Sequence, residues 1–185
     1  MCDLAAQLRD QWFPNDYQLV DGELKHRENP EHFRIPPQVI KRQVNVGHFV
    51  ELRIDSARFL AHEDVAEQCE CPSCKGVISK PILRHEHPAT LVPLPEQKIP
   101  SRGWGEDFWV QVIKREGDAF LGTIDNPLAE ARLHGLSLGN QIVFHADNIL
   151  AVHDVHRQEL ILAMNEADLK EMTLWLATVF RSNAS

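Results

Sequence analysis

Basic residues are scarce in this chain: 19 Lys and Arg stand against 27 Asp and Glu, for a formal charge of −8. Capture of phosphate backbones needs a field of cations, so extensive nucleic-acid binding is excluded and an acidic, solvated surface is expected. Long apolar runs are missing as well. The longest, near Leu160 to Met164, stops at Asn165, far short of the ~20 residues that a bilayer crossing requires, so no membrane span is expected. Cysteine is sparse. Of four, three are packed together as Cys69, Cys71 and Cys74, which cannot make a framework of long-range disulfides and, in a reducing compartment, favours metal. The first residues carry early acid and no basic stretch leading into an apolar core. That does not read as a secretory leader, and a cytoplasmic location is expected.

What remains is an ordinary globular composition, 43% hydrophobic and 25% charged over 185 residues. A chain of this length buries roughly 70% of its extended surface as one domain, so 1–185 is read as a single unit in which any metal has a local task.

Leu4, Leu8 and Trp12 recur at a helical period and predict a short N-terminal helix within residues 1–13. From Pro14 to Pro37 no period is sustained, and a surface loop is expected. Val50, Leu52 and Ile54 alternate with Glu51 and Arg53, the pattern of a half-buried strand. Residues 108–113 and 119–124 predict two strands joined by a turn at Gly117 and Asp118, ended by Asn126 and Pro127. Two more short strands are expected over 141–145 and 148–152, with Ala146 and Asp147 as a tight connection. In 165–182, Asn165 reads as an N-cap, and Leu169, Met172, Leu176, Val179 and Phe180 form a stripe at helical spacing. A helix packed across the sheet follows. The expected fold class is α+β: a small curled antiparallel sheet or partial barrel with N-terminal and C-terminal helices.

Phe108-Trp109-Val110, Gly122 to Ile124, Asn126-Pro127, Leu138-Gly139-Asn140, Ile142, Phe144 and Ile149 together resemble the YegJ-like bacterial family, a domain of unknown function. Val46 to Val50 is similar to that family's upstream strand. Asn140 stands where the family usually has Asp, and Leu150-Ala151 where an Asp-Trp pair is common. The resemblance implies a fold and carries no activity with it. Residues 56–106 then look like an insertion into the family pattern.

The distinctive chemistry lies in that insertion. Cys71-Pro-Ser-Cys74-Lys-Gly76 has the spacing of a zinc knuckle, in which two thiolates grip one ion from a tight turn and a glycine supplies its positive φ. A redox pair would need a βαβ setting, which is absent. His85 and His87, two apart and followed by Pro88, can face one side of an extended strand. Cys71, Cys74, His85 and His87 make the simplest closed Zn2+ site; Cys69 replacing one histidine is the alternative, and solvated histidines with no ligand role the plain one. A catalytic zinc would need an open position and a base, for which Glu63 and Glu86 are the candidates. The deaminase and metalloprotease signatures are absent.

His153 and His156 could be half a metal site or an acid–base pair, but histidines at a strand rim, like His134 and His145, are more often solvated. Trp104, between Gly103 and Gly105, and Trp109 could mark a partner surface, because aromatics dominate binding hot spots, although core packing is the plain reading and Trp104 the better surface candidate of the two. The leading expectation is a zinc-binding, non-enzymatic protein-interaction module. A zinc-dependent hydrolase and an acidic immunity or inhibitor protein that covers a basic partner are the alternatives.

Overall fold

The computed structural model describes residues 3–30, 33–56, 60–61, 102–103, 105–129 and 131–182. Its centre is an antiparallel sheet whose strands are β1 (Tyr17–Leu19), β2 (Phe49–Ser56), β5 (Glu106–Glu116), β6 (Ala119–Ile124) and β7 (Gln141–His145), hydrogen-bonded in that order. A two-residue ladder of β3 (Leu60–Ala61) and β4 (Arg102–Gly103) forms a separate sheet. The alternation expected over 50–54 is present: Val50, Leu52 and Ile54 point inward on β2 and cluster with Phe108, Val110 and Val112 of β5 and Phe120 and Ile124 of β6. These side chains form the main core.

The hairpin also forms as expected, with Gly117 at a positive φ in the turn between β5 and β6. One feature of it was not legible. The register shifts between Val112 and Lys114, a bulge that turns Ile113 toward solvent and tightens the curl of the sheet. Gly122 faces Val112 across this pair, and a Cβ there would meet Val110, the Gln111 carbonyl and Phe144. The close approach of β5, β6 and β7 requires that glycine.

The two strands expected near 141–152 do not pair with each other. β7 pairs with β6, a 3-10 turn follows at Ala146–Asn148, and β8 (Ala151–Val152) then pairs with β2. One segment thus runs from one edge of the sheet to the opposite edge and nearly closes it into a barrel. The Leu150 N–H donates to the Glu51 carbonyl (2.9 Å) and the His153 N–H to the Phe49 carbonyl (3.0 Å), completing the seam. Asn148 belongs to the turn, where its amide donates to the Val20 carbonyl (3.0 Å) and accepts from the His145 N–H (2.8 Å).

Helices cover the outside. Asp3 caps α1 (Leu4–Asp10), which buries Leu4 against Ala119 and Val143 on the outer face of β6 and β7. Trp12, expected on the same stripe, lies past the helix end and is 77% exposed. Gln11 meets the free edge of β7 like a short strand: its side-chain amide donates to the Val143 carbonyl and accepts from the Val143 N–H, both at 2.8 Å. The stretch expected to be loop contains β1 and α2 (Gly22–Glu28), the latter capped by Asp21. Two short helices follow, α3 (Gln38–Lys41) and α4 (Ala131–His134).

The C-terminal part is a helix pair, α5 (Arg157–Ala163) and α6 (Glu166–Ser182). Asn165 caps α6 as expected, accepting from the Asp168 N–H at 3.0 Å, with acid in the first turn and Arg181 in the last, each suited to the helix dipole. The packing departs from expectation. Met172, Trp175 and Val179 are half-buried, whereas Leu169, Leu176 and Phe180 remain exposed. Among the described residues, no helix is long and apolar enough to cross a membrane.

Candidate functional site

All five expected zinc ligands, Cys69, Cys71, Cys74, His85 and His87, lie outside the described residues, as do Glu63, Glu86 and Trp104. The strands that bracket them are described. Ile54 of β2 pairs with Glu106 of β5, so the chain leaves and re-enters the barrel between adjacent strands.

The histidines left aside as solvated behave differently from one another. His134 is buried; its Nδ1 accepts from the Leu136 N–H (3.1 Å), which places the proton on Nε2, 3.1 Å from Glu106 Oε2. His145 stays half-exposed beside Asp147. His156 finds a partner in His48, from the other end of the barrel sequence. Asn45 to His48 form a tight turn, with the His48 N–H donating to the Asn45 carbonyl (3.1 Å) and Gly47 at φ 92°. That turn sets the His48 ring against His156, with ring centroids 4.7 Å apart and planes 23° from parallel. Glu159, one helical turn on, closes the group: Oε2 lies 3.2 Å from His156 Nδ1 and 3.4 Å from His48 Nε2.

The two rings belong to a longer aromatic row. Phe49 stacks on His156 at 5.7 Å, His153 meets the edge of Phe49 at 6.5 Å, and Trp109 meets His153 at 5.1 Å. Burial, and next the neighbouring His156, hold the His48 imidazole below its ordinary range, while Glu159 acts in the opposite direction. On the same outer face, burial and then Asp107 raise the Glu51 carboxyl.

By spacing alone His48, His156 and Glu159 could span a divalent ion, since one ligand atom from each lies within 4.8 Å of the others. The outer nitrogens speak against it. A ligating imidazole keeps its second nitrogen protonated and donates it to an acceptor. Here His48 Nδ1 faces the Asn45 N–H, itself a donor, at 3.2 Å, and His156 Nε2 is buried with no acceptor among the described residues. The trio suits protons better than a metal.

Beside it, α5 and α6 rest on the segment around α3. Arg42 reaches Asp168 (3.0 Å) and Glu171 (2.6 Å), and Gln43 donates to Asp168 (2.8 Å). Leu160 and Met164 are the buried apolar anchors, each worth roughly 2 kcal/mol. Farther along, Trp175, Thr178 and Val179 border an open groove of about 740 Å³ shared with Ile35, Pro36 and Leu150. Comparison with known protein families, with curated proteins and with solved structures found no match to this chain.

Proposed function

We propose that the chain is a non-enzymatic protein-interaction module, with the segment between β2 and β5 held by a structural zinc ion and α6 offering the contact surface. The observation that carries it is the uncovered apolar side of α6. Met172, Trp175 and Val179 on one side of the helix are half-buried, yet the adjoining stripe of Leu169, Leu176 and Phe180 is exposed, Phe180 at 70%. Such a stripe is what a partner's groove takes from a helix. The described titratable cluster supports the non-enzymatic side of the proposal: both imidazoles are largely buried and turned toward Glu159.

Zinc would be held by Cys71 and Cys74 with His85 and His87, or with Cys69 in place of one histidine; four such ligands leave no open position for water. Kinship with the YegJ-like family belongs to the same proposal and would extend the barrel alone, because Trp109, Gly122 and Asn126 pack and turn the chain. Metal analysis of protein purified without a histidine tag, beside Cys71→Ser, tests the zinc. About one equivalent should be lost together with stability, and an unchanged melting temperature after complete chelation would contradict it. For the surface, Leu176→Glu with Phe180→Glu should leave melting unchanged while abolishing stoichiometric co-purification of a partner. Zinc-dependent hydrolysis that disappears in His85→Ala would overturn the proposal.

A further inference from the structure

Two polar anchors hold the C-terminal helices, and they differ in kind. Arg42 with Asp168 and Glu171 is charged across the whole physiological range. The other anchor is His48 against His156 and Glu159, in which two imidazoles that can take up protons face one carboxylate. Both spring from the segment that runs from α3 into β2, so one segment carries a permanent tie and a titratable one.

The stacked geometry limits how many protons the second anchor can hold. In the neutral state the Asn45 N–H occupies His48 Nδ1, so His48 Nε2 bears the proton and points at Glu159. His156 presents Nδ1 to the same carboxylate oxygen. A first added proton is matched by Glu159. A second would put two imidazolium rings 4.7 Å apart over one carboxylate. His156 also stands at the N-cap of α5, where the helix dipole disfavours a cation.

The other charged groups nearby do not offset that repulsion. Arg115 donates to the Arg42 and Val44 carbonyls on the His48 segment and adds positive charge. Asp154 is engaged by Arg157, and His153 lies beyond Phe49 with its Nδ1 accepting from the Val155 N–H. Glu159 is the one carboxylate placed against both rings in the described contacts.

We propose that His48, His156 and Glu159 form an acid-sensitive latch, which holds α5 on the barrel at neutral pH and releases it when both imidazoles are charged. Release uncovers Leu160 and Met164, while α6 stays tied through Arg42. The latch therefore frees an apolar helix on a tether and leaves the barrel intact.

Amide hydrogen exchange on the full chain, corrected for intrinsic rates, tests this at about pH 7.2 and about pH 5.2. Amides of α5 should lose roughly tenfold protection on acidification, with those of β5 unchanged as the internal reference. In His48→Gln the amide side chain can still donate to Glu159 without titrating, and the loss should shrink to about twofold or less; His156→Gln tests the same point from the helix side. Glu159→Gln should move release to higher pH. Equal acid sensitivity in wild type and His48→Gln, or β5 opening in step with α5, would overturn the latch. So would protection of α5 by added Zn2+ that is lost in His48→Gln, which would make the trio a metal site.

Discussion

Replacing Glu23 by Ala should destabilise the chain far more than replacing the lysine it serves. Lys41 closes α3 with its side chain 0% exposed, and its Nζ lies 2.7 Å from Glu23 Oε1 on α2, an oxygen that also accepts from Gln38 at 2.8 Å. Removing one partner of a buried ion pair costs about 3–5 kcal/mol, because the remaining charge is left desolvated. Glu23 is itself 30% exposed, so water can enter the vacated space and the cost falls somewhat below that range, to about 2–3 kcal/mol. For a chain of this size that lowers the melting temperature by roughly 5–10 °C. Lys41→Met keeps the stem's volume and removes the charge, and Glu23 can turn to solvent; the expected change is within about 1 kcal/mol of zero. The double variant should recover most of the loss from Glu23→Ala. Urea unfolding followed by tryptophan fluorescence, with the midpoint shifting at constant slope, measures all three. If Lys41→Met costs as much as Glu23→Ala, or the double variant is no better than Glu23→Ala, the pair is not held together by the need to neutralise a buried ammonium.

Two further outcomes follow from the barrel. Gly122→Ala should cost about 2 kcal/mol or more in the same urea assay, because the new methyl meets the Gln111 carbonyl at 2.9 Å and the Phe144 ring at 3.3 Å; a neutral result would mean that β6 shifts freely there. Glu51→Gln should stabilise the protein at neutral pH. The Glu51 carboxyl is raised in the folded state by burial and by Asp107, so the fold binds its proton more tightly than the unfolded chain does. Stability is consequently lost as pH rises from about 4.5 through the raised value, and the gain from Gln should vanish in stability curves measured below about pH 4.5. A gain that persists in acid would assign the effect to packing.

The barrel strands were legible because each has one wet and one dry face. Val50, Leu52 and Ile54 announce β2, and Gly117 with Asp118 announces the hairpin. β1 and α2 were not legible: three strand residues and a seven-residue helix give too short a window for either period. The Val112 bulge escaped for a related reason, since one inserted residue leaves the alternation on both sides looking normal. For the site, a C-x-x-C spacing is local and readable, whereas a histidine pair drawn from two distant segments has no spacing to read. His48 sat inside a strand pattern and His156 at a strand rim, and neither position signals the other.

The amino-acid order alone determined β2, the β5–β6 hairpin and β7, their apolar faces, the turn at Gly117 and the helix beginning after Asn165. These are decisions of a few neighbouring residues, made by φ preferences, caps and alternation. Only the tertiary structure decided that the segment after β7 crosses to β2, that Arg42 and Gln43 hold the start of α6 while Phe180 stays wet, and that His156 stacks on His48. Periodicity reports that a face is apolar. Which surface covers it depends on barrel closure, and closure is set by the bulge, the glycine and the 3-10 turn acting together.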